Sequence, residues 1–135
     1  MKLTTNFNLS EFTHSNTAIA KGIDNTPNGQ QVENLRILCA RVLQPLREAY
    51  DEPFFINSGF RCPELNKAVG GVPTSQHLEG KASDVRVKEP RRLLAELLKQ
   101  GLSFDQAILY PTFLHISYNS GLNRKDVLYA KGVKP

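Results

Sequence analysis

The chain has 135 residues, of which 40% are hydrophobic and 22% charged, and this composition is typical of a globular protein. Its length fits one domain over residues 1–135, and no apolar run approaches the roughly 18 residues of a transmembrane helix, so we expect no membrane insertion. The net charge of +4 comes from scattered basic residues, and we therefore expect no dedicated nucleic-acid binding.

The N-terminal segment contains few signals for structure or export. Residues 1–6 lack the apolar core of a signal peptide, so we expect a cytoplasmic protein unless another factor releases it. Residues 1–25 are expected to form an irregular arm with one short helix at 9–12. Asn8 or Ser10 would cap that helix, because both side chains accept hydrogen bonds from free backbone N–H groups.

A long amphipathic helix is predicted next. Thr26-Pro27 marks its start, with Pro27 in the first turn, where a missing N–H costs nothing. Pro45 should kink or divide this helix because its ring removes one backbone hydrogen bond. Cys39 lies on the apolar face, and we expect Cys39 and Cys62 to be free thiols. The apolar residues with helical spacing are Val32, Leu35, Leu38, Cys39, Val42, Leu46 and Ala49.

Strands and helices alternate through the rest of the chain, which predicts an α+β fold. In the hairpin near the C-terminus, Ile108 should pair with His115, so that His115 projects from a rigid strand. The expected elements are a buried strand at 54–57, a helix at 63–69, a strand at 83–87, a helix at 90–100, hairpin strands at 104–110 and 113–118, and a last strand at 126–130.

Three polar residues form a candidate metal-binding set. His77 and Asp84 lie in the segment 75–84, and His115 follows on the hairpin. A catalytic zinc ion takes three nitrogen or oxygen ligands and keeps one open position. Gly80 lies between the first two candidates and lets the backbone fold back tightly. The sequence therefore predicts one divalent metal ion held by His77, Asp84 and His115.

Several short motifs resemble those of the zinc D-Ala-D-Ala carboxypeptidase family, which includes phage endolysin endopeptidases and shares its fold with the hedgehog signalling domain. The resemblance implies a hedgehog/DD-peptidase-like fold with a small, mainly antiparallel sheet packed against helices. It also implies a zinc cofactor and a peptidase that cleaves D-Ala-D-Ala or related bonds in the peptidoglycan stem peptide, released or virion-borne. We expect the protein to be a monomer. The matching residues are Ser58-Gly59-Phe60-Arg61-Cys62-Pro63, Leu65-Asn66, Gly70-Gly71, Ser75-Gln76-His77, Gly80, Ala82, Asp84 and Leu114-His115-Ile116-Ser117.

The resemblance further implies roles for residues around the metal. Zinc would be bound by the three predicted ligands, and Arg61 would contact either the scissile carbonyl oxygen or a substrate carboxylate. An arginine provides a fixed fork of donors for either partner. Ser75 and Gln76 would hydrogen-bond the peptide or orient His77.

One departure from the family pattern concerns the general base. Relatives carry Asp or Glu shortly before the last histidine, whereas residues 110–114 contain no carboxylate. Loss of acid–base help typically costs ~10²–10⁴-fold in rate. Tyr110 can donate to an oxyanion but is a poor base, Glu79 is the other candidate, and Asp105 is expected to lie too far from His115. A zinc-containing wall-binding or virion module without turnover is therefore the alternative function.

Overall fold

The N-terminal residues form regular structure instead of the expected irregular arm. The computed structural model describes residues 1–135. A two-stranded antiparallel sheet of β1 (Lys2–Thr4) and β2 (Phe7–Asn8) precedes α1 (Leu9–Thr13) and α2 (Asn16–Lys21). Phe7 and Phe12 are buried, with ring centroids 6.0 Å apart. The expectation of an arm is therefore wrong, because packing of these rings on distant residues orders the segment. The short helix after Asn8 is confirmed.

The first long helix, α3 (Gly29–Leu38), begins two residues after Pro27 and not with it. Asn28 caps the helix, and its side chain accepts a hydrogen bond of 2.9 Å from the Gln31 N–H. The Gln31 side chain in turn accepts one of 2.8 Å from the Asn28 N–H. This reciprocal pair satisfies two free donors and sets the helix start, so the predicted start at Pro27 is wrong.

Pro45 divides the long helix, as the sequence predicts. A π-helical segment (Cys39–Leu43) separates α3 from α4 (Gln44–Tyr50), and the Gln44 N–H donates to the Cys39 carbonyl five residues earlier. In a regular helix the proline ring would collide with the Arg41 carbonyl. The wider turn removes that collision. Cys39 is fully buried, and both cysteines are free thiols, as expected.

Five strands form the central sheet, in the order β3-β4-β6-β5-β7. Neighbours are antiparallel except β5 and β7, which are parallel, so the sheet is mixed but mainly antiparallel. The α+β fold and the pairing of Ile108 with His115 are confirmed. The remaining elements are β3 (Phe55–Ser58), α5 (Pro63–Ala68), a 3-10 turn (Gln76–Glu79), β4 (Ala82–Arg86), α6 (Pro90–Lys99), β5 (Gln106–Leu109), β6 (Phe113–Ser117) and β7 (Asp126–Tyr129).

The strand β3 lies at the edge of the sheet, and the expectation of a fully buried strand is wrong. Ile56 faces the core, but Phe55 is 59% exposed. The apolar run in this part of the sequence suggests burial on both faces. In the structure the guanidinium of Arg86 covers the Phe55 ring at 4.3 Å from its centroid, so a cation takes the place of a core contact.

The two faces of the sheet have different neighbours. Val85, Leu114 and Ile116 are completely buried in a core of 21 residues that includes side chains of α3, α4 and α6. Successive side chains alternate across a strand, so Asp84 and His115 lie on the opposite face. That face is available for a functional site. None of the helices combines the length and apolar character needed to cross a bilayer.

Gly59, directly after β3, packs closely against Phe12 of α1. A Cβ at this position would lie 2.6 Å from the Phe12 Cβ and 2.7 Å from the Phe12 carbonyl oxygen. That carbonyl already accepts a hydrogen bond of 2.8 Å from the Phe60 N–H. No side chain, however small, fits here without moving the backbone.

We expect Gly59→Ala to lower the free energy of unfolding by about 1–3 kcal/mol because it overpacks this contact. Urea denaturation monitored by circular dichroism measures the change. Gly29→Ala is the matched control, since nothing lies within 4 Å of a Cβ there. Equal stability of the two variants would contradict the expectation.

Candidate metal centre

His77 is presented by a short 3-10 turn that is fixed at both ends. The Ser75 Oγ accepts a hydrogen bond of 3.2 Å from the His77 N–H at the start. Gly80 ends the turn with a φ of +74°, a conformation that glycine adopts without strain. A Cβ on Gly80 would also lie 2.6 Å from the Gln31 carbonyl oxygen. The turn therefore packs closely on α3, and His77 is only 3% exposed.

Asp84 and His115 lie side by side because β4 and β6 pair in one register. They are direct cross-strand partners, so their side chains emerge on the same face. Ser58 on β3 is the partner of Asp84, and Ile108 on β5 is the partner of His115. A row of four residues thus crosses four strands, with the two candidate ligands at its centre.

The predicted ligands converge on one point. Asp84 Oδ1 lies 3.4 Å from His77 Nε2 and 2.8 Å from His115 Nδ1. The three donor atoms lie within 4.8 Å of one another. Ligands at 2.0–2.2 Å from a tetrahedral zinc ion are roughly 3.3 Å apart, so small side-chain movements would accommodate the ion. The two nitrogens and one carboxylate oxygen form a suitable donor set for zinc.

A backbone carbonyl sets the orientation of His77. His77 Nδ1 lies 2.6 Å from the Gly59 carbonyl oxygen, which can only accept a hydrogen bond. Nδ1 therefore carries the proton and donates it to this oxygen. Nε2 consequently keeps its lone pair toward Asp84 and His115. Metal-binding histidines are commonly oriented by such a contact on the second ring nitrogen.

Asp84 is held as a carboxylate although it is buried. Burial by itself raises the pKa of this carboxyl group, but its contacts with His115 and His77 outweigh that effect. The pKa of Asp84 is therefore well below its usual range. An ionised carboxylate is the form that binds a divalent cation.

Arg61 lies next to the cluster in a fixed orientation. Its Nε donates to the Ser58 Oγ at 3.0 Å, and its Nη1 donates to the Asn66 Oδ1 at 3.1 Å. Its Nη2 lies 3.6 Å from Asp84 Oδ2. Burial is the main cause that lowers the pKa of Arg61, with Asp84 and Tyr110 acting in the opposite direction. The sequence assigns no role to Ser58 or Asn66, although both occur in the motifs that prompted the family resemblance.

Asn66 connects Arg61 to the glycine pair in the following loop. It is 3% exposed and donates a hydrogen bond of 2.9 Å to the Val72 carbonyl oxygen. A Cβ on Gly71 would collide with the Asn66 amide and would lie 2.8 Å from Arg61 Nη1. Gly71 therefore leaves space for the hydrogen bond between Asn66 and Arg61. A single sequence contains no signal for such a contact beyond the unusual Gly70-Gly71 pair.

Ser75 and Gln76 make contacts that orient the His77 turn. Ser75 caps the turn, and Gln76 Nε2 donates a hydrogen bond of 2.8 Å to Asp105 Oδ2. Of the two roles expected from the sequence, these contacts correspond to the positioning of His77. The side-chain nitrogen of Gln76 is therefore engaged within the protein.

Neither candidate for the missing base belongs to the metal-binding set. Glu79 has a side chain that is 59% exposed, and its carboxylate lies 3.7 Å from Lys81 Nζ. Tyr110 stacks on Phe113 with centroids 4.4 Å apart. The metal-binding set contains His77, Asp84 and His115 and no second carboxylate. The structure therefore brings together the predicted ligands and Arg61 but supplies no acidic neighbour for proton transfer.

Asp105 is buried and contacts the turn that carries His77 without touching the metal-binding set. It is 1% exposed and accepts two hydrogen bonds from the Arg124 guanidinium, at 2.8 and 2.9 Å, besides the one from Gln76. The hydrogen bond from Arg124 is the main cause that lowers the pKa of Asp105 to about 2. Asp105 thus joins the His77 turn to the segment before β7, and none of its contacts is with the three ligands.

A comparison with known families identifies the chain. The sequence profile of the family described as Peptidase M15 matches residues 5–117. The chain belongs to this family. Its members are metallopeptidases, typically with zinc, which agrees with the donor set of the cluster. A search of curated proteins returned no match.

The ion pair between Asp105 and Arg124 should make the stability of this M15 peptidase depend on pH. The pKa of Asp105 is about 2 in the folded protein and about 3.9 in the unfolded chain. The ion pair therefore stabilises the folded state above about pH 4. This contribution is lost as the pH falls toward 2. We expect Asp105→Asn to cost about 1–2 kcal/mol at pH 7, reduced by the exposure of Arg124, and progressively less below pH 4.

Urea denaturation of both proteins between pH 7 and pH 3 measures this difference. Asp126→Asn is the matched control, because Asp126 also faces Arg124, at 3.8 Å, but its side chain is 45% exposed. That variant should differ by less than about 0.5 kcal/mol at every pH. A difference for Asp105→Asn that stays constant with pH would show that the charge is not responsible.

Proposed function

We propose that this M15 chain is a zinc-dependent peptidase that hydrolyses D-Ala-D-Ala or related peptide bonds of bacterial peptidoglycan. The observation that carries the proposal is the convergence of His77 Nε2, Asp84 Oδ1 and His115 Nδ1 on the face of the sheet that points away from the core. The resemblance to wall-degrading relatives supports the substrate. It also supports a phage or prophage setting in which the protein reaches the wall after release or within a virion.

The three converging side chains would hold the zinc ion. When bound, zinc polarises a peptide carbonyl and activates water as a nucleophile. Gly59 keeps His77 in the tautomer that can bind the ion, and His115 comes from a strand paired on both sides. These supports keep the ligands in position before substrate arrives, which lowers the cost of reorganisation.

We assign to Arg61 the role of donating hydrogen bonds to an oxygen of the substrate. Ser58 and Asn66 fix its guanidinium beside Asp84, so its orientation does not depend on the substrate. A fixed donor placed where negative charge develops stabilises a transition state more than a mobile donor does. The target is either the scissile carbonyl or a terminal carboxylate, and Tyr110 on the neighbouring strand end is a second donor for the same oxygen.

The site lacks an evident residue for proton transfer. Glu79 is paired with Lys81 at the surface, and the phenol of a tyrosine, with an ordinary pKa of about 10, is a poor base. We therefore assign the base to neither residue and expect turnover ~10²–10⁴-fold slower than in an otherwise equal site with a carboxylate. The same observation favours a second candidate, a zinc-containing module that binds wall peptide without cleaving it.

Zinc uptake and hydrolysis test the two candidates together. We expect one zinc ion per chain and slow release of D-Ala from a synthetic peptide ending in D-Ala-D-Ala, abolished by a chelator. His77→Ala and His115→Ala should each lose zinc and activity, since two ligands hold the ion poorly. His14→Ala is the matched control for zinc content, because His14 is exposed and its side chain hydrogen-bonds only to Asn16.

The outcomes separate the alternatives. If the protein takes up zinc and binds the peptide but does not cleave it, the result would support the binding module and contradict the peptidase. Absence of stoichiometric zinc from protein soaked in excess Zn²⁺ would contradict both. Elemental analysis measures the zinc content, and chromatography of the reaction mixture measures the products.

A further inference from the structure

A groove leads away from the metal centre along the outer edge of β3. It has a volume of about 490 Å³ and shares Ser58 and Arg61 with the centre. Its far end is formed by Phe55 and Arg86. Residues of α5 and the start of α2 form the wall opposite β3. The complete lining is His14, Ser15, Asn16, Thr17, Phe55, Ile56, Asn57, Ser58, Phe60, Arg61, Leu65, Val69 and Arg86.

The backbone of β3 is available to an extended ligand. This strand pairs with β4 on one side and with no strand on the other. Edge strands present unpaired N–H and C=O groups, and extended peptides bind such edges by adding a strand. A groove beside an unpaired edge therefore suits a peptide in extended conformation.

The lining of the groove contains two cations and no acidic residue. Two of its lining residues, Arg61 and Arg86, are cations, and none is Asp or Glu. Arg61 is already held by Asn66 and lies beside Asp84. Arg86 is exposed, has no carboxylate within salt-bridge distance and stacks on Phe55. Other arginines, such as Arg92 and Arg124, are paired with carboxylates.

The groove also offers apolar contact. Phe55 is 59% exposed and Val69 is 45% exposed, and both line it. Exposed apolar side chains beside an unpaired cation are typical of a surface that recognises an amphipathic partner. The stacked Phe55 ring also restricts Arg86, so less side-chain entropy is lost when its guanidinium binds an anion.

The geometry of β4 sets the distance between the metal centre and a ligand carboxylate bound by Arg86. Arg86 follows Asp84 by two residues on β4, which corresponds to roughly 7 Å along the strand. A peptide strand running beside β3 has the same rise per residue. A carboxylate bound by Arg86 would therefore lie about two residues from the bond at the metal.

We propose that this groove binds an extended peptide whose acidic residue, two positions from the bond to be cleaved, is held by Arg86. The proposal deepens the proposed function, because the groove supplies substrate recognition to the peptidase site. It defines the substrate class as acidic peptides and makes Arg86 a specificity-determining residue. Arg86 contacts the substrate away from the reacting atoms.

Binding of paired peptides tests the proposal. Two fluorescent peptides ending in D-Ala-D-Ala would be compared, one with Glu and one with Gln two positions before the terminal peptide bond. We expect the acidic peptide to bind the zinc-loaded protein about tenfold more tightly, as for one solvent-exposed charge-assisted contact. Arg86→Gln should abolish that preference, so that the acidic and the neutral peptide bind with equal affinity. Arg86→Lys should restore part of it, since lysine keeps the charge but lacks the fork.

Arg41→Gln is the matched control. It removes the same charge from an exposed arginine on the helical side of the molecule, in the π-helical segment, and should keep the full preference. Thermal denaturation of each variant verifies folding. Equal affinities of the two peptides for the native protein would overturn the proposal, as would loss of the preference in Arg41→Gln or undetectable binding at millimolar concentrations.

Failure of this proposal is distinguishable from failure of the proposed function. Zinc-dependent hydrolysis without any preference for the acidic peptide would overturn the role of Arg86 and leave the peptidase intact. A preference that depends on Arg86, in a protein that takes up no zinc and releases no product, would support the groove and contradict the peptidase.

Discussion

The antiparallel pairing of β4 with β6 is the constraint on which the rest of the structure depends. In its register Asp84 lies directly opposite His115, and Val85 lies opposite Leu114. The first pair faces the metal centre, and the second pair is buried in the core. A slip of one residue in β6 would turn His115 toward the core and Leu114 toward the site. The burial of the apolar pair therefore also secures the geometry of the site.

The remaining ligand and the arginine are added to this pair by close packing and hydrogen bonds. His77 reaches the cluster because Gly59 and Gly80 allow backbone contacts that a Cβ would prevent. Asp84 is buried, but two histidines and Arg61 surround its carboxylate. Each partner offsets part of the cost of removing the charge from water. Of these partners, the two histidine nitrogens form with the carboxylate oxygen a donor set for a divalent cation.

The site combines a complete set of ligands with an incomplete set of catalytic groups. Of the acidic residues nearest in sequence to the first ligand, Glu79 is paired at the surface and Asp84 belongs to the metal-binding set. Asp105 is engaged by Arg124 and Gln76. The groove beside β3 adds recognition at a distance from the metal. Binding energy from such remote contacts can hold a substrate in position for a slow chemical step.

Local rules of the sequence determined the features that depend on few residues. These are the register that pairs Ile108 with His115 and the break at Pro45. Turn spacing and the missing proline N–H act within a few positions, so one sequence suffices to predict both. The convergence of His77, Asp84 and His115 is predicted instead from their donor types and the family motifs.

Tertiary structure alone decided the features that depend on distant partners. The edge position of β3 follows from the strand order, and the N-terminal rings are ordered by residues far along the chain. Asp105 is tied to Gln76 across 29 positions, and Asn25 holds the Phe60 carbonyl across 35. Such contacts form only when the chain has folded, because their energy comes from burial and hydrogen bonding between segments that carry no mutual signal in sequence.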